Sequence, residues 1–218
     1  VMNLESGQVR QLTNEQDPTM AVGVPVWSPD GKYITHFRRA RGAFQGEQWV
    51  VNADGTNARR IAKDGGWGAW TPDSKWIYWG SAVPGEPNRL HKGRVEGGAS
   101  VVVREDDAQG PSLAADGTLY YARALAGVNA VSHYEVRAAR PENGPSRLLA
   151  RIPGSRVPTW QSFHPVLSPD GKWLAFPLTE GPTTDLWAMS AADGKLRQLT
   201  NFAGRSTFIC AASFVVPG

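Results

Sequence analysis

The sequence predicts an all-β protein, a β-propeller made of four-stranded antiparallel blades. Three observations predict it: a segment centred on a tight turn recurs along the chain, a second turn-centred segment follows each copy, and apolar residues near the turns alternate as they do in strands. The 218 residues include 24 Gly and 16 Pro, a composition that favours many turns over long helices.

The first repeated segment is a predicted β-hairpin. It reads VPVWSPDGKYITHF at 24–37, GAWTPDSKWIYWG at 68–80, PSLAADGTLYYA at 111–122 and HPVLSPDGKWLAF at 164–176. Its turn aspartates, spaced by 43, 43 and 54 residues, are Asp30, Asp73, Asp116 and Asp170. Pro fixes φ at the second turn position, and the Gly after Asp accepts the left-handed backbone that closes the turn. These spacings are close to the period of about 40–50 residues found in propeller blades.

The second repeated segment is also a predicted hairpin. Its copies are WVVNADGTNARRIA from Trp49, LHKGRVEGGASVVV from Leu90, YEVRAARPENGPSRLLA from Tyr134 and LWAMSAADGKLRQLT from Leu186. Two hairpins give four short strands, which is one blade. Complete blades are therefore predicted at about 17–62, 67–104, 109–151 and 160–200.

The two ends of the chain predict a further, composite blade. The opening segment VMNLESGQVRQLT is similar to the last copy of the second hairpin, and residues 203–218 align with the inner strand of the first one. We expect 1–13 and 203–218 to form a fifth blade that closes the ring and removes open sheet edges. The alternative is that the chain is a fragment of a larger propeller; in both cases 1–218 is one domain.

The sequence contains nine tryptophans, which the predicted fold must accommodate. Five of them fall at repeat positions where we expect them to pack between neighbouring blades: Trp27, Trp70, Trp76, Trp173 and Trp187. Large aromatic side chains supply much of such a core.

The pattern W/L-S-P-D-G-K-W-L-A-F resembles the repeat of TolB-like propellers, also called WD40-like or PD40 repeats. The copies at 28–34 and 168–176 match it closely, the copy at 71–78 has Ser74 in place of Gly, and the copy at 114–121 lacks the Pro. The resemblance implies the propeller fold and a bacterial protein in the periplasm or secreted. It implies function less specifically, because many unrelated activities use propellers.

In a propeller, the loops between blades and the loop between the two hairpins of a blade share one face, at the mouth of the central channel. We expect the binding site on this face. Candidate ligand-binding residues brought there by several blades are Asp17, His36, Arg38, Arg41, Asp106, His133, Trp160, Gln161, His164 and Arg205. Such a mixed rim suits a protein, a peptide or a saccharide, although polar loops also simply cover a propeller.

His164 is the weak candidate for a catalytic residue, as a general base, or it caps its strand by bonding a neighbouring loop. His36, His133 and His164 could share a divalent metal ion only if separate blades bring them together, since no HxH or HExxH spacing is present. No other cofactor is predicted. The chain has no GxSxG motif, and its single cysteine, Cys210, lies in an apolar run typical of inert core thiols.

Three functions remain open at this stage. The favoured one is a non-catalytic module that holds a protein or ligand at the channel mouth, as the resemblance implies. The second is a hydrolase or polysaccharide lyase that uses His, Arg and acidic residues there, and the third is the gating propeller of a larger peptidase. A net charge of +3 with one short arginine cluster argues against nucleic acid, and no apolar run reaches the ~18 residues of a membrane span.

Overall fold

The structure of the protein is a computed structural model that describes residues 1–43, 46–81, 83, 85–127, 130–158 and 163–202. These residues form sixteen β-strands and one short 3-10 helix, Gly154–Arg156. In this part of the chain, no helix has the length and apolar character needed to cross a membrane.

The strands form four antiparallel sheets, which we call blades 1 to 4. Blade 1 contains β1 (Met20–Trp27), β2 (Tyr33–Ala40), β3 (Gly46–Asn52) and β4 (Arg59–Gly65). Blade 2 contains β5 (Gly68–Trp70), β6 (Trp76–Ser81), β7 (Arg89–Arg94) and β8 (Val101–Arg104). Blade 3 contains β9 (Ala108–Leu113), β10 (Leu119–Ala126), β11 (Val131–Ala139) and β12 (Ser146–Pro153). Blade 4 contains β13 (Val166–Leu167), β14 (Trp173–Glu180), β15 (Thr183–Ser190) and β16 (Leu196–Gln198).

The strands of each blade are hydrogen-bonded in chain order, so that each blade is a meander of two linked hairpins. β9 contacts both β5 and β13, which places the first strands of blades 2, 3 and 4 side by side as the inner strands. The predicted propeller of four complete, four-stranded antiparallel blades is confirmed.

The Ser-Pro-Asp-Gly turn is held by its own side chains. The Ser28 hydroxyl donates to the Asp30 carboxylate at 2.7 Å and accepts the Tyr33 N–H at 2.9 Å. The same pair of bonds recurs at Ser168 in blade 4 and, with a threonine hydroxyl, at Thr71 in blade 2. A hydroxyl two residues before the aspartate therefore fixes the start of the second strand. This explains the Ser or Thr at that position of the repeat in blades 1, 2 and 4.

Ser74 replaces the usual turn glycine and joins two blades. It adopts a left-handed backbone with φ of 60°, which is costly for a residue with a Cβ. Its buried hydroxyl accepts the N–H of Asp30 in blade 1 at 3.1 Å. The departure from the repeat thus exchanges backbone strain for a hydrogen bond across the blade boundary.

Apolar residues fill each boundary between consecutive blades. The cluster between blades 1 and 2 contains Val50, Ile61, Trp70, Ile77 and Trp79. The cluster between blades 2 and 3 contains Tyr78, Leu90, Val103, Leu119 and Tyr121. The cluster between blades 3 and 4 includes Val136, Ile152, Phe163, Phe176 and Met189. The core is thus divided among the blade interfaces, as expected for sheets arranged around an axis.

Trp27 does not pack between blades as predicted. Trp70 is buried, and Trp76 and Trp187 are partly buried against the clusters, but Trp27 is 47% exposed. Side chains alternate along a strand, and Val26 already points into the boundary with blade 2. Trp27 therefore points to the opposite side of blade 1. Trp173 is half-buried, under the guanidinium of Arg197 at 5.2 Å.

The opening segment lies against blade 1. Met2 and Val9 form an antiparallel bridge, and the Arg10 guanidinium donates to the carbonyl of Ala53 at 2.7 Å. Residues 203–218, the other half of the predicted composite blade, lie outside the described residues. The fifth blade therefore stays a prediction.

Candidate functional site

One position of the repeat lies at or near the start of the inner strand in blades 2, 3 and 4, and within the inner strand in blade 1. Six residues before the turn aspartate, the four copies carry Val24, Trp67, Gly110 and His164. We call these the mouth positions, after Trp67 and His164, which lie on the connections just before β5 and β13; Gly110 is the third residue of β9, and Val24 lies in the middle of β1. Val24 and Gly110 both have a positive φ, of 54° and 58°, and each lies at an irregularity in the pairing of its strand.

Trp67 and His164 meet although they belong to blades 2 and 4. Their rings are arranged edge to face, with centroids 5.4 Å apart and planes at 86°. The contact passes over β9, the inner strand of blade 3, which lies between them. Both side chains remain partly exposed, so this aromatic pair is part of the surface at the mouth of the channel.

Gly110 makes this contact possible. A Cβ at position 110 would lie 2.8 Å from the Cα of His164 and even closer to the carbonyl oxygen of Phe163. Real Cβ atoms do not approach backbone atoms so closely, and φ of 58° disfavours any other residue as well. Glycine therefore lets the backbone before β13 lie directly on the start of β9.

His164 is held by the neighbouring blade. Its Nε2 lies 3.0 Å from the carbonyl oxygen of Pro111, and since a carbonyl only accepts, Nε2 carries a proton. Burial lowers the pKa of His164, although the bond to Pro111 opposes this, so the ring is neutral at pH 7. Its Nδ1 is an enclosed acceptor with no protein partner. His164 is thus bonded to a neighbouring inner strand, whereas the alternative to catalysis expected a bond to a neighbouring loop.

The inner strands of blades 3 and 4 are joined by a second contact next to His164. The buried Ser112 hydroxyl donates to the carbonyl of Pro165 at 2.8 Å and accepts the N–H of Leu167 at 3.4 Å. The mouth position of blade 4 therefore rests on a fixed backbone rather than on a free loop.

The arginines near the end of β2 are engaged within the protein. Arg38 Nε lies 2.5 Å from Glu15 and its NH1 lies 3.1 Å from Glu47. The hydrogen bond from Arg38 is the main cause that lowers the pKa of Glu15. Arg39 donates to the carbonyl of Ala43, and Arg41 donates to that of Pro18 at 2.8 Å. The cluster holds the loops of blade 1 in place.

Two acidic candidates are also engaged. The exposed Asp17 carboxylate accepts the hydroxyl of Thr19 at 2.6 Å, and this bond lowers its pKa. Asp106 pairs with Arg104 at 2.9 Å and accepts the hydroxyl of Tyr121 at 3.2 Å. Burial opposes the charged form of Asp106, but the bond and charge of Arg104 outweigh it and the pKa is lowered.

His36 and His133 lie inside strands rather than in the predicted loops. His36 belongs to β2, is only 6% exposed and stacks on Trp49 with centroids 6.4 Å apart. Burial lowers the pKa of His36 and its Nδ1 has no partner. His133 belongs to β11 and is exposed. In both blades the strands remain paired over residues that were predicted to lie in loops. The loops between the two hairpins of a blade are therefore shorter than predicted.

The described residues contain no group of three or more His, Cys, Asp or Glu side chains that could hold a metal ion. His36, His133 and His164 belong to blades 1, 3 and 4, and a metal shared by them stays a hypothesis. The remaining candidates, Trp160, Gln161 and Arg205, lie outside the described residues, as does Cys210.

A serine–histidine contact that the sequence did not suggest joins β6 and β7. Ser81 Oγ lies 2.7 Å from His91 Nε2, and both residues are buried. Asp64 Oδ2 approaches the same nitrogen at 3.6 Å, and the ring stacks on Trp79. In a catalytic triad the carboxylate binds the other ring nitrogen. This arrangement is therefore a packing contact of a buried polar pair and not a triad.

No family model matches the chain. Part of it is similar to the Tol-Pal system protein TolB of Rhizorhabdus wittichii, 36% identical over 75 residues, which are 33% of this chain and 16% of the relative. It is also similar to Tol-Pal system protein TolB 1 of Novosphingobium aromaticivorans, 35% identical over 85 residues, which are 38% of this chain and 16% of the relative. The matched segments thus span a small part of these relatives.

Solved structures share the fold at low sequence identity. TolB from Acinetobacter baumannii superposes with a TM-score of 0.69 at 22% identity, over 90% of this chain and 46% of that one. An oligogalacturonate lyase in complex with manganese gives 0.60 at 16% identity, over 91% and 57%. A prolyl endopeptidase gives 0.59 at 19% identity, over 92% and 32%. These likenesses, together with the four blades, show that the protein has the β-propeller fold.

Proposed function

We propose that this chain is a protein-binding propeller module of the bacterial periplasm. It holds a partner protein or peptide at the mouth of its channel, against the pair formed by Trp67 and His164. Both curated relatives are named as proteins of the Tol-Pal system, and we infer that the partner belongs to such a system. The single observation that carries the site is the contact of these two rings across β9.

The chemistry of the pair favours binding over catalysis. Tryptophan is enriched among residues that dominate the energy of protein interfaces, because a large rigid ring buries much area at small entropic cost. Trp67 is partly exposed and its ring is held against His164, so a partner finds it already ordered. The imidazole, in contrast, has one nitrogen bonded to Pro111 and the other enclosed, which leaves no free base for a substrate.

The proposal is tested by measuring the affinity of the purified chain for the Pal protein of Rhizorhabdus wittichii by biolayer interferometry. We expect saturable binding, weakened about tenfold or more by Trp67→Ala, which corresponds to about 1.4 kcal/mol. Trp27→Ala is the matched control, because Trp27 is also partly exposed but lies beside the Ser-Pro-Asp-Gly turn, at the other end of an inner strand. Equal affinities for wild type and Trp67→Ala, or no binding by the wild type, would overturn the proposal.

The lyase reading makes a different prediction for the same protein. It needs a divalent ion at the mouth, and a solved lyase of the same fold is described in complex with manganese. Calorimetric titration of the chain with Mn²⁺ separates the two readings. Stoichiometric binding that His164→Ala abolishes would favour the lyase reading, whereas the binding-module proposal expects no such site. A gating role in a larger peptidase would instead require a catalytic domain in the same polypeptide.

A further inference from the structure

The outermost strand of blade 2 lacks the protection that the other outer strands have. Strands at the edge of a sheet present unpaired backbone groups, and charged side chains usually prevent other chains from pairing with them. β4 reads RRIAKDG, β12 reads SRLLARIP and β16 reads LRQ, so each carries at least one arginine among its first two residues. β8 instead begins with three consecutive valines.

The valines of β8 are exposed to an unusual degree. Val101 is 50% exposed and Val102 is 41% exposed, although side chains of successive residues point to opposite faces of a strand. β8 pairs only with β7 within its sheet, so its other backbone edge is free in the described part of the chain. An apolar surface thus surrounds an edge that can accept another strand.

A shallow groove, wide open to solvent, lies at this edge. It has a volume of about 810 Å³ and is lined by residues 102–106 on one side and 143–145 on the other. The second wall is the turn between β11 and β12 of blade 3, so the groove lies at the boundary of two blades. An extended segment placed beside β8 would therefore contact both blades.

The groove is held open by fixed contacts. Arg104 NH1 donates to the carbonyl of Gly144 at 2.7 Å, which ties the far wall to β8. One residue before the far wall, Glu142 accepts hydrogen bonds from Tyr78 and Lys92 of blade 2. A preformed groove loses little entropy when a ligand enters, and this favours binding.

The charge at the end of β8 selects the kind of segment that fits. The Arg104 guanidinium is paired with Asp106, which leaves Glu105 as the exposed charge directly after the strand. The Glu105 side chain is 72% exposed, and the Arg89 guanidinium, 3.8 Å away, is itself paired with Glu86 at 2.7 Å. A basic side chain of a partner can therefore pair with Glu105.

We propose that β8 is a strand-addition site. An extended segment of a partner protein, with a Lys or Arg followed by alternating β-branched residues, adds antiparallel to β8 as a fifth strand of blade 2. Main-chain hydrogen bonds to the free edge provide the affinity, and the valines and Glu105 select the sequence. In the antiparallel direction, the first residues of the segment lie beside Glu105. This surface is separate from the mouth positions and does not depend on the function proposed for them.

The test uses the fluorescein-labelled peptide Lys-Val-Thr-Val-Ser, blocked at its carboxyl end, and fluorescence polarisation with the whole chain. We expect saturable binding that Val102→Lys weakens about tenfold or more, because it introduces the charge that the other outer strands carry. Leu148→Lys is the matched control: Leu148 is 38% exposed on β12, and the same change there should leave the affinity unaltered. Circular dichroism of both variants checks that each remains folded.

A second variant tests the charge without altering the strand. Glu105→Gln should weaken the lysine peptide about threefold to tenfold, yet leave unchanged a peptide with Gln in place of Lys. Binding that is equal in wild type and Val102→Lys, or absent in wild type, overturns the proposal. So does a concentration-dependent dimer of the wild type that Val102→Lys dissociates, measured by sedimentation, since the occupant of the edge would then be a second copy of the chain.

Discussion

Gly110 allows the geometry of the mouth to be tested through stability. We consider the substitution Gly110→Ala, which adds a single methyl group at the start of β9. The left-handed backbone, with φ of 58°, costs an L residue about 1–2 kcal/mol. The added Cβ would also lie 2.8 Å from His164 Cα, where ordinary contacts begin near 3.4 Å.

The clash sets the size of the expected effect. Its partners are backbone atoms of residues 163 and 164, so the added group cannot be accommodated by rotating a side chain. Overpacking of this kind costs about 1–3 kcal/mol, since strands must shift. Together with the backbone strain, we expect Gly110→Ala to lower the free energy of unfolding by about 2–5 kcal/mol.

Gly171→Ala is the matched control. Gly171 also has a positive φ, of 70°, but a Cβ there would meet no atom within 4 Å. This variant therefore carries the backbone strain alone, about 1–2 kcal/mol. The difference between the two variants isolates the contact between β9 and the backbone before β13.

Chemical denaturation, followed by circular dichroism, measures the free energy of unfolding for wild type and both variants. We expect Gly110→Ala to lose about 1–3 kcal/mol more than Gly171→Ala, and its melting temperature to fall by at least about 2 °C more. Losses that agree within about 0.5 kcal/mol would refute the close approach of the two inner strands.

Two further predictions concern a strained turn and a buried histidine. Ser74→Gly should change the free energy of unfolding by less than about 1 kcal/mol, because relief of the left-handed strain offsets the lost hydrogen bond. Ser74→Ala keeps the strain and should lower the free energy of unfolding by about 1 kcal/mol in the same denaturation assay. A larger loss in Ser74→Gly than in Ser74→Ala would contradict this account. Burial lowers the pKa of His91 below its ordinary 6.5, so the unfolded chain takes up the proton first and stability should fall as the pH drops through about 6.5. His91→Gln should flatten this fall in pH-dependent melting curves; an unchanged slope in His91→Gln would count against it.

Most of the fold could be predicted from the repeat, because each copy contains the residues that form its own turn. Ser28 and Asp30 hold the turn by hydrogen bonds within a few residues of each other, and such local chemistry is written directly in the sequence. Trp27 was misplaced for the opposite reason. Whether a strand residue faces a neighbouring blade depends on which side that blade occupies, and β1 also has a bulge between Gly23 and Val26 that changes the alternation.

The candidate site was predictable in part. His164 was singled out from the sequence and lies two residues before β13, and Trp67 could have been found by aligning the four repeats, since it occupies the same position in blade 2. The partners of Arg38 could not be read in this way. Its pairing with Glu15 joins residues 23 positions apart, and the fold alone decides that this arginine meets a carboxylate rather than a ligand.

Some departures from the repeat have a structural explanation, and others do not. A position that served only the fold would accept similar residues in every blade, yet the mouth positions hold Val, Trp, Gly and His. Gly110 is explained by the close approach of backbones, and His164 by its bond to Pro111. Trp67 has no comparable structural requirement, since it is partly exposed and its contact with His164 does not fill a core. The same comparison singles out β8 among the outer strands. Under the two proposals made above, binding accounts for both departures, and Trp67→Ala and Val102→Lys test the two surfaces independently.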